Sequence, residues 1–162
     1  MKKLLKTKYF LCIVTLIPLL LIMAMIFGFS AQPGEKSMST SGVIVKFVLK
    51  IIMPDFAQKT VAQQANILHW TQFIVRKFAH FSEFAMLGFF LSLHLYLWKL
   101  PRYPLFAGIS GVLYAAFDEI HQFFNGTRTP QIRDVLIDST GVICGILLLM
   151  LLIRYSIHKN KM

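Results

Sequence analysis

Apolar runs of nearly membrane-spanning length recur along the chain. A helix of about 20 apolar residues crosses the hydrocarbon core of a bilayer. Four such runs occupy residues 9–29, 79–98, 103–121 and 135–153. Backbone polar groups in a bilayer must pair within the protein, so each run is expected to be helical. The pattern predicts an all-α polytopic membrane protein, with four transmembrane helices in one integral membrane domain over residues 1–162.

The segment between the first two runs, residues 30–78, is long for a chain of this size. Within it, residues 43–53 place Lys46 and Lys50 four apart, on one face of an otherwise apolar helix. This pattern is typical of a helix that lies in the membrane interface. Residues 60–76 have a helical pattern again. We therefore expect an interfacial helical segment on the outer side of the membrane.

Charged residues are distributed unevenly around the four runs. The terminal segments and the turn between the second and third runs contain only basic charges, among them Lys2, Lys3, Lys6, Lys8, Lys99, Arg102, Arg154, Lys159 and Lys161. Every acidic residue falls on the other side of the predicted membrane: Glu35, Asp55, Glu83, Asp118, Glu119, Asp134 and Asp138. Because cytoplasmic flanks are enriched in Lys and Arg, both termini are predicted to be cytoplasmic.

Composition narrows the choice of protein class. Hydrophobic residues make up 56% of the chain and the mean hydropathy is +0.63, which is too apolar for an ordinary soluble domain. The net charge of +10 fits membrane topology and contact with anionic lipids, so no nucleic-acid partner is expected. The cysteines, Cys12 and Cys144, lie inside apolar runs and indicate neither a disulfide framework nor a zinc cluster.

Polar residues gather where three of the predicted helices reach the outer side. Charges at membrane depth are costly, and those that occur usually face a bundle interior, a water-filled cavity or a partner. Helical spacing places several of these residues one turn apart on a shared face. The candidate ligand-binding residues are Lys77, His80, Glu83, Asp118, Gln122, Arg128, Asp134 and Asp138.

Two features of this region allow more than one interpretation. Arg128 lies in a loop before the fourth run, where its guanidinium suits an anionic headgroup or an ion pair with Asp134 or Glu119. Gly141 and Gly145 form a GxxxG pattern, which permits close helix packing within the chain or in a homodimer.

The same residues suggest candidates for catalysis. His80, Glu83 and Asp118 are the catalytic candidates, because a carboxylate can orient an imidazole that acts as a general base. A metal site would use these three residues together with His121. Their linear spacing matches no recognised metal motif, so neither a metal nor another cofactor is predicted.

These motifs resemble the VanZ-like family of membrane proteins. The resemblance rests on residues 76–84 (RKFAHFSEF), on 118–122 (DEIHQ) and on 126–128 followed by 134–141, with Gly145 one turn later. Ser30 and Gln32, after the first run, also fit the pattern of this family. It implies an integral membrane protein of the bacterial cell envelope, located in the cytoplasmic membrane. The name-giving members are associated with resistance to teicoplanin-type glycopeptide antibiotics. They carry a phenylalanine-type residue in place of Asp118 and an asparagine in place of Asp138, so this chain belongs to a broader branch.

Three functions remain open from the sequence. The first is a structural or binding role. In it the polar groups pair with one another and hold the helices together, or they bind a lipid or glycolipid headgroup, with membrane lipids or a lipid-linked envelope precursor as partners. The second is an intramembrane acid–base enzyme that acts on a lipid-linked envelope substrate. The third is a transporter, which the concentration of charges at one side of the membrane disfavours.

Overall fold

The computed structural model describes the backbone of residues 2–31, 34–124 and 131–160, and the side chains of these residues except 2–8 and 34–41. The described residues contain no strand, which confirms the all-α prediction. Their α-helices, in chain order, are α1 (Lys2–Ser30), α2 (Gly34–Ile52), α3 (Val61–Leu97), α4 (Tyr103–Phe124) and α5 (Ile132–Lys159). A short 3₁₀ helix, Phe56–Gln58, precedes α3.

Three helical segments are long and apolar enough to cross a membrane: Tyr9–Ser30 of α1, Val61–Leu97 and Ile132–Lys159. The chain is therefore a multi-pass membrane protein. At 22 residues α4 is long enough to be a further span, but Asp118 and Glu119 lower its hydropathy. The predicted fourth span is not confirmed and stays a prediction.

The structure joins two predicted pieces into one helix. Residues 60–76 and 79–98 were expected as separate elements, whereas α3 runs without interruption from Val61 to Leu97. The stretch between them, Arg76-Lys77-Phe78, contains neither glycine nor proline and so offers nothing to end a helix. Thr60 caps the first turn through a reciprocal pair of hydrogen bonds with Gln63. At 37 residues α3 is about 55 Å long and exceeds the thickness of the hydrocarbon core.

Glycines on α5 let it lie directly against α3. An added Cβ on Gly141 would lie 2.5 Å from the carbonyl oxygen of Phe81, and one on Gly145 would lie 1.9 Å from that of Ala85. A step of four residues along α5, from Gly141 to Gly145, corresponds to a step of four residues in the same direction along α3, from Phe81 to Ala85. The two helices are therefore parallel. The predicted packing within the chain is confirmed; a homodimer remains an untested prediction.

Helices α1 and α4 both run antiparallel to this pair. Gly108 of α4 faces Ile146 of α5 and Gly111 faces Val142, so α4 is antiparallel to α5. It returns from the end of α3 to the level of His80, in the middle of α3. Helix α1 is parallel to α4, because Met23 accepts a hydrogen bond from Tyr114 and Ser30, one to two turns later, donates to Asp118. It is therefore antiparallel to α3, and Thr15 Oγ1 lies 3.1 Å from Nδ1 of His94.

The two ends of the bundle differ in charge. At one end of the bundle α1 and α4 end and α5 begins, and we call it the acidic end. Its acidic residues are Glu83, Asp118, Glu119, Asp134 and Asp138. The opposite end, which we call the basic end, includes Lys99, Arg102 and Arg154.

Helix α2 corresponds to the predicted interfacial segment, although it begins at Gly34 rather than at residue 43. It packs against α3. Val45 and Leu49, four residues apart, are buried, whereas Lys46 and Lys50 are exposed. The amphipathic pattern is confirmed as a helix, and its position in the interface stays a prediction.

Candidate functional site

Asp118 lies at the centre of the acidic end and links α4 to α1. Its side chain is 1% exposed. The Oγ of Ser30 and the Nε2 of Gln122 both donate to Asp118 Oδ2, at 2.7 and 2.8 Å. Gln122 Nε2 also donates to Ser30 Oγ at 3.3 Å. This triangle of hydrogen bonds fixes the orientation of the carboxylate and joins the last turn of α1 to α4.

A second group of side chains joins α4 to α3 and α5. A ring nitrogen of His80 and carboxylate oxygens of Asp118 and Asp138 all lie within 4.8 Å of one another, and all three residues are buried. The close approach at Gly141 brings Asp138 to this position, because it lies one turn earlier on α5. We call His80, Asp118 and Asp138 the buried trio.

Glu83 lies one turn along α3 from His80. Its Oε2 is 3.7 Å from Nδ1 of His80, which exceeds hydrogen-bond distance. Among the residues that the structure describes, neither Glu83 nor Asp138 makes a side-chain hydrogen bond, although both are largely enclosed by protein. A carboxylate in such surroundings requires either a proton or a cation nearby.

The ion pair between Lys77 and Asp134 connects α3 and α5 one turn nearer the start of α5 than the buried trio. Both side chains are less than one fifth exposed. Lys77 also lies over the ring of Phe73, with Nζ 5.6 Å from the ring centroid. The guanidinium carbon of Arg133 lies 5.5 Å from the same centroid. Two cations from different helices thus share one aromatic ring at the acidic end.

Glu119 and His121, near the end of α4, both contact other parts of the chain. Glu119 is 7% exposed, and its Oε1 accepts a hydrogen bond of 2.6 Å from the backbone N–H of Gln131, just before α5. His121 is half-buried and stacks on Phe27, with ring centroids 3.9 Å apart. Glu119 therefore connects α4 to the start of α5 through a hydrogen bond. The third member of the buried trio is Asp138 and not His121.

The structure brings most of the predicted site residues to one end of the bundle. They are Lys77, His80, Glu83, Asp118, Gln122, Asp134 and Asp138. Arg128 lies outside the described residues. Ser30 was not among the predicted site residues, although the family resemblance included it. That these residues bind a ligand or catalyse a reaction stays a prediction.

Comparison with known proteins gives one match. The family model described as VanZ/LLP1 matches residues 15–153, a range that includes all residues of the site from Ser30 to Asp138. No curated protein and no solved structure matches the chain significantly.

Proposed function

Because this chain belongs to the VanZ/LLP1 family of proteins, we propose that it is a cell-envelope membrane protein that binds the phosphate-bearing headgroup of a lipid at its acidic end. The observation that carries the proposal is the convergence of Lys77 and Arg133 on the ring of Phe73. The carboxylate of Asp134 engages Lys77. Arg133 is exposed and forms no ion pair with any residue in the described ranges.

Arg133 has the chemistry that a phosphate group requires. A guanidinium presents paired N–H donors that match two phosphate oxygens. The cation–π contact with Phe73 holds the guanidinium of Arg133 near Lys77. Its position at the first turn of α5 adds the positive end of a helix dipole. Arg133 is the principal phosphate contact in this proposal, and Lys77 supplies additional positive potential beside it.

The proposed orientation in the membrane follows from the charges at the two ends. With α4 as a fourth span, both termini lie on the cytoplasmic side, where Lys99, Arg102 and Arg154 contact anionic lipids. The acidic end then faces the outer leaflet of the bacterial cytoplasmic membrane. Labelling of single introduced cysteines in intact cells tests this orientation. The cysteine of Trp70→Cys should react with a membrane-impermeant thiol reagent, and the cysteine of Ser156→Cys should not.

Lipid binding is tested with purified protein in detergent. Native mass spectrometry should detect bound phosphatidylglycerol, and diacylglycerol with the same acyl chains, which lacks the phosphate, should bind much more weakly. Arg133→Gln should weaken phosphatidylglycerol binding by about tenfold, which corresponds to the loss of one charge-assisted hydrogen bond. The matched variant Lys59→Gln, which removes an exposed cation before the start of α3, should leave it unchanged. Equal binding of the two lipids, or equal loss in both variants, would refute the proposal.

A narrower form of the proposal names a lipid-linked envelope precursor as the ligand and a role in glycopeptide resistance. Both extend what the family membership suggests. Cells that express the wild-type chain should tolerate more teicoplanin than cells without it, and Arg133→Gln should remove the difference. If phosphatidylglycerol binds but tolerance does not change, the general lipid proposal stands and the narrower form fails.

The enzymatic alternative has one observation in its favour, the proximity of His80 to Glu83. Their separation of 3.7 Å means that the hydrogen bond expected of an acid–base pair is not formed in this state. Headgroup binding therefore agrees better with the geometry of the acidic end.

A further inference from the structure

We propose that the buried trio, His80, Asp118 and Asp138, binds a divalent transition-metal cation, either manganese or zinc. This inference concerns a different part of the acidic end from the lipid proposal and does not depend on it. It also differs from the expectation drawn from the sequence, which considered linear spacing and did not include Asp138 among metal ligands.

The geometry of the trio is close to that of a metal site. The three candidate ligand atoms lie within 4.8 Å of one another. Ligand atoms bound to one ion at about 2.0–2.2 Å are about 3–4 Å apart. Small adjustments of the side chains are therefore sufficient to bring all three into coordination. The ligands come from α3, α4 and α5, so a bound ion would connect three helices.

The burial of Asp138 is an independent indication that a ligand belongs there. Its side chain is 5% exposed and makes neither a hydrogen bond nor an ion pair with any described residue. It points toward His80 and toward a second carboxylate, that of Asp118. The nearby ammonium group of Lys77 pairs with Asp134 instead. A buried carboxylate costs several kcal/mol unless a cation or proton compensates it, and a metal ion supplies that compensation.

The surroundings of the trio are also typical of metal sites. The hydrogen bonds from Ser30 and Gln122 to Oδ2 orient the carboxylate of Asp118, as residues around metal ligands commonly do. Glu83 lies beside His80 and offers a further carboxylate to the ion or to a water molecule bound to it.

The ligand types decide which ion is proposed. An imidazole nitrogen favours transition metals over Ca²⁺ and Mg²⁺, which prefer oxygen ligands. The absence of a thiolate from the trio argues against a structural zinc site of the cysteine type. One imidazole with two carboxylates suits Mn²⁺ and Zn²⁺ in mixed nitrogen and oxygen coordination.

The test uses full-length protein, purified in detergent, stripped with a chelator and then titrated with Mn²⁺ or Zn²⁺. Electron paramagnetic resonance measures free Mn²⁺, and calorimetry measures Zn²⁺ binding. One ion should bind per chain, and Asp138→Asn should weaken binding by more than about a hundredfold, because loss of a residue that only supports a metal ligand already costs about 10- to 100-fold. Asp55→Asn, an exposed aspartate outside the bundle core, is the matched control and should bind like the wild type.

Folding of each variant is checked by gel filtration and thermal unfolding. If Asp138→Asn does not remain monodisperse, metal binding is tested by comparing His80→Gln with the wild-type protein. Saturating Mn²⁺ or Zn²⁺ should raise the unfolding temperature of the wild type and not that of His80→Gln. The proposal is overturned if the wild-type chain binds neither ion at millimolar concentration, or if folded Asp138→Asn or His80→Gln binds as tightly as Asp55→Asn.

Discussion

Gly145 of α5 lies against Ala85 of α3 so closely that a Cβ atom on the glycine would be 1.9 Å from the alanine carbonyl oxygen. The obstacle is backbone, which cannot rotate away as a side chain can. Any larger residue at position 145 must push the two helices apart. The same displacement would move Asp138, two turns earlier on α5, away from His80.

Gly145→Ala is therefore expected to destabilise the protein by about 1–3 kcal/mol, the usual cost of overpacking a well-packed interior. Thermal unfolding in detergent measures this change. Gly28→Ala is the matched control, because a Cβ there would have nothing within 4 Å. In the control, helix propensity should raise stability by up to about 1 kcal/mol. Equal effects at the two positions would argue against the close contact between α3 and α5.

Ser30→Ala removes the hydroxyl that donates to Asp118 and leaves a buried carboxylate with one donor fewer. We expect a loss of about 1–3 kcal/mol in the free energy of unfolding. Ser110→Ala, at an exposed position of α4, removes the same group without a buried partner and should change stability little. The link between α1 and α4 would be in doubt if both serine variants unfolded at the wild-type temperature.

Lys77→Met is expected to destabilise the chain by about 1–3 kcal/mol, because it leaves the partly buried Asp134 without its cation. The charge-reversed double variant, Lys77→Glu with Asp134→Lys, should recover part of the loss. Lys59→Met serves as the control, since its ion pair with Asp55 is exposed and solvent screens it. A double variant no more stable than either single one would show that the pair does not couple α3 to α5.

Lys99→Gly is expected to stabilise the turn between α3 and α4. Lys99 has φ of 58°, a left-handed conformation that costs a non-glycine residue about 1–2 kcal/mol. Glycine adopts it without that strain, so the unfolding temperature should rise. Lys50→Gly places the same substitution in the last turn of α2, where it should lower stability. A fall in unfolding temperature for Lys99→Gly would contradict the assigned backbone conformation.

The apolar pattern was sufficient to predict the helical architecture of the membrane segments. Residues 9–29 and 135–153 fall inside α1 and α5, both strongly apolar helices. The apolar pattern wrongly divided α3 into two elements, because the hydropathy of the sequence changes there while the helix continues. The polar first half of α3 and its apolar second half differ in hydropathy, but nothing breaks the helix between them.

Helical spacing also predicted that the polar residues would gather at one end of the bundle. This prediction requires only the direction in which each helix crosses the membrane. It could not predict which residues meet. The proximity of His80 to Asp138 depends on the depth at which α3 and α5 pack, and this depth is set by backbone contacts at Gly141 and Gly145. The partnership of Ser30 with Asp118 likewise depends on the neighbours of α1, which periodicity does not specify.

The parallel packing of α3 and α5 has a consequence for how the protein is made. During synthesis α1, α3 and α4 leave the ribosome before α5, so Ser30, Asp118 and Gln122 can pair while Asp138 is still absent. Asp138 reaches His80, and the glycines of α5 reach α3, only when α5 is inserted. The buried trio is thus completed after the link between α1 and α4, and a chain truncated before α5 would keep the hydrogen bonds of Ser30 and Gln122 to Asp118 without the trio.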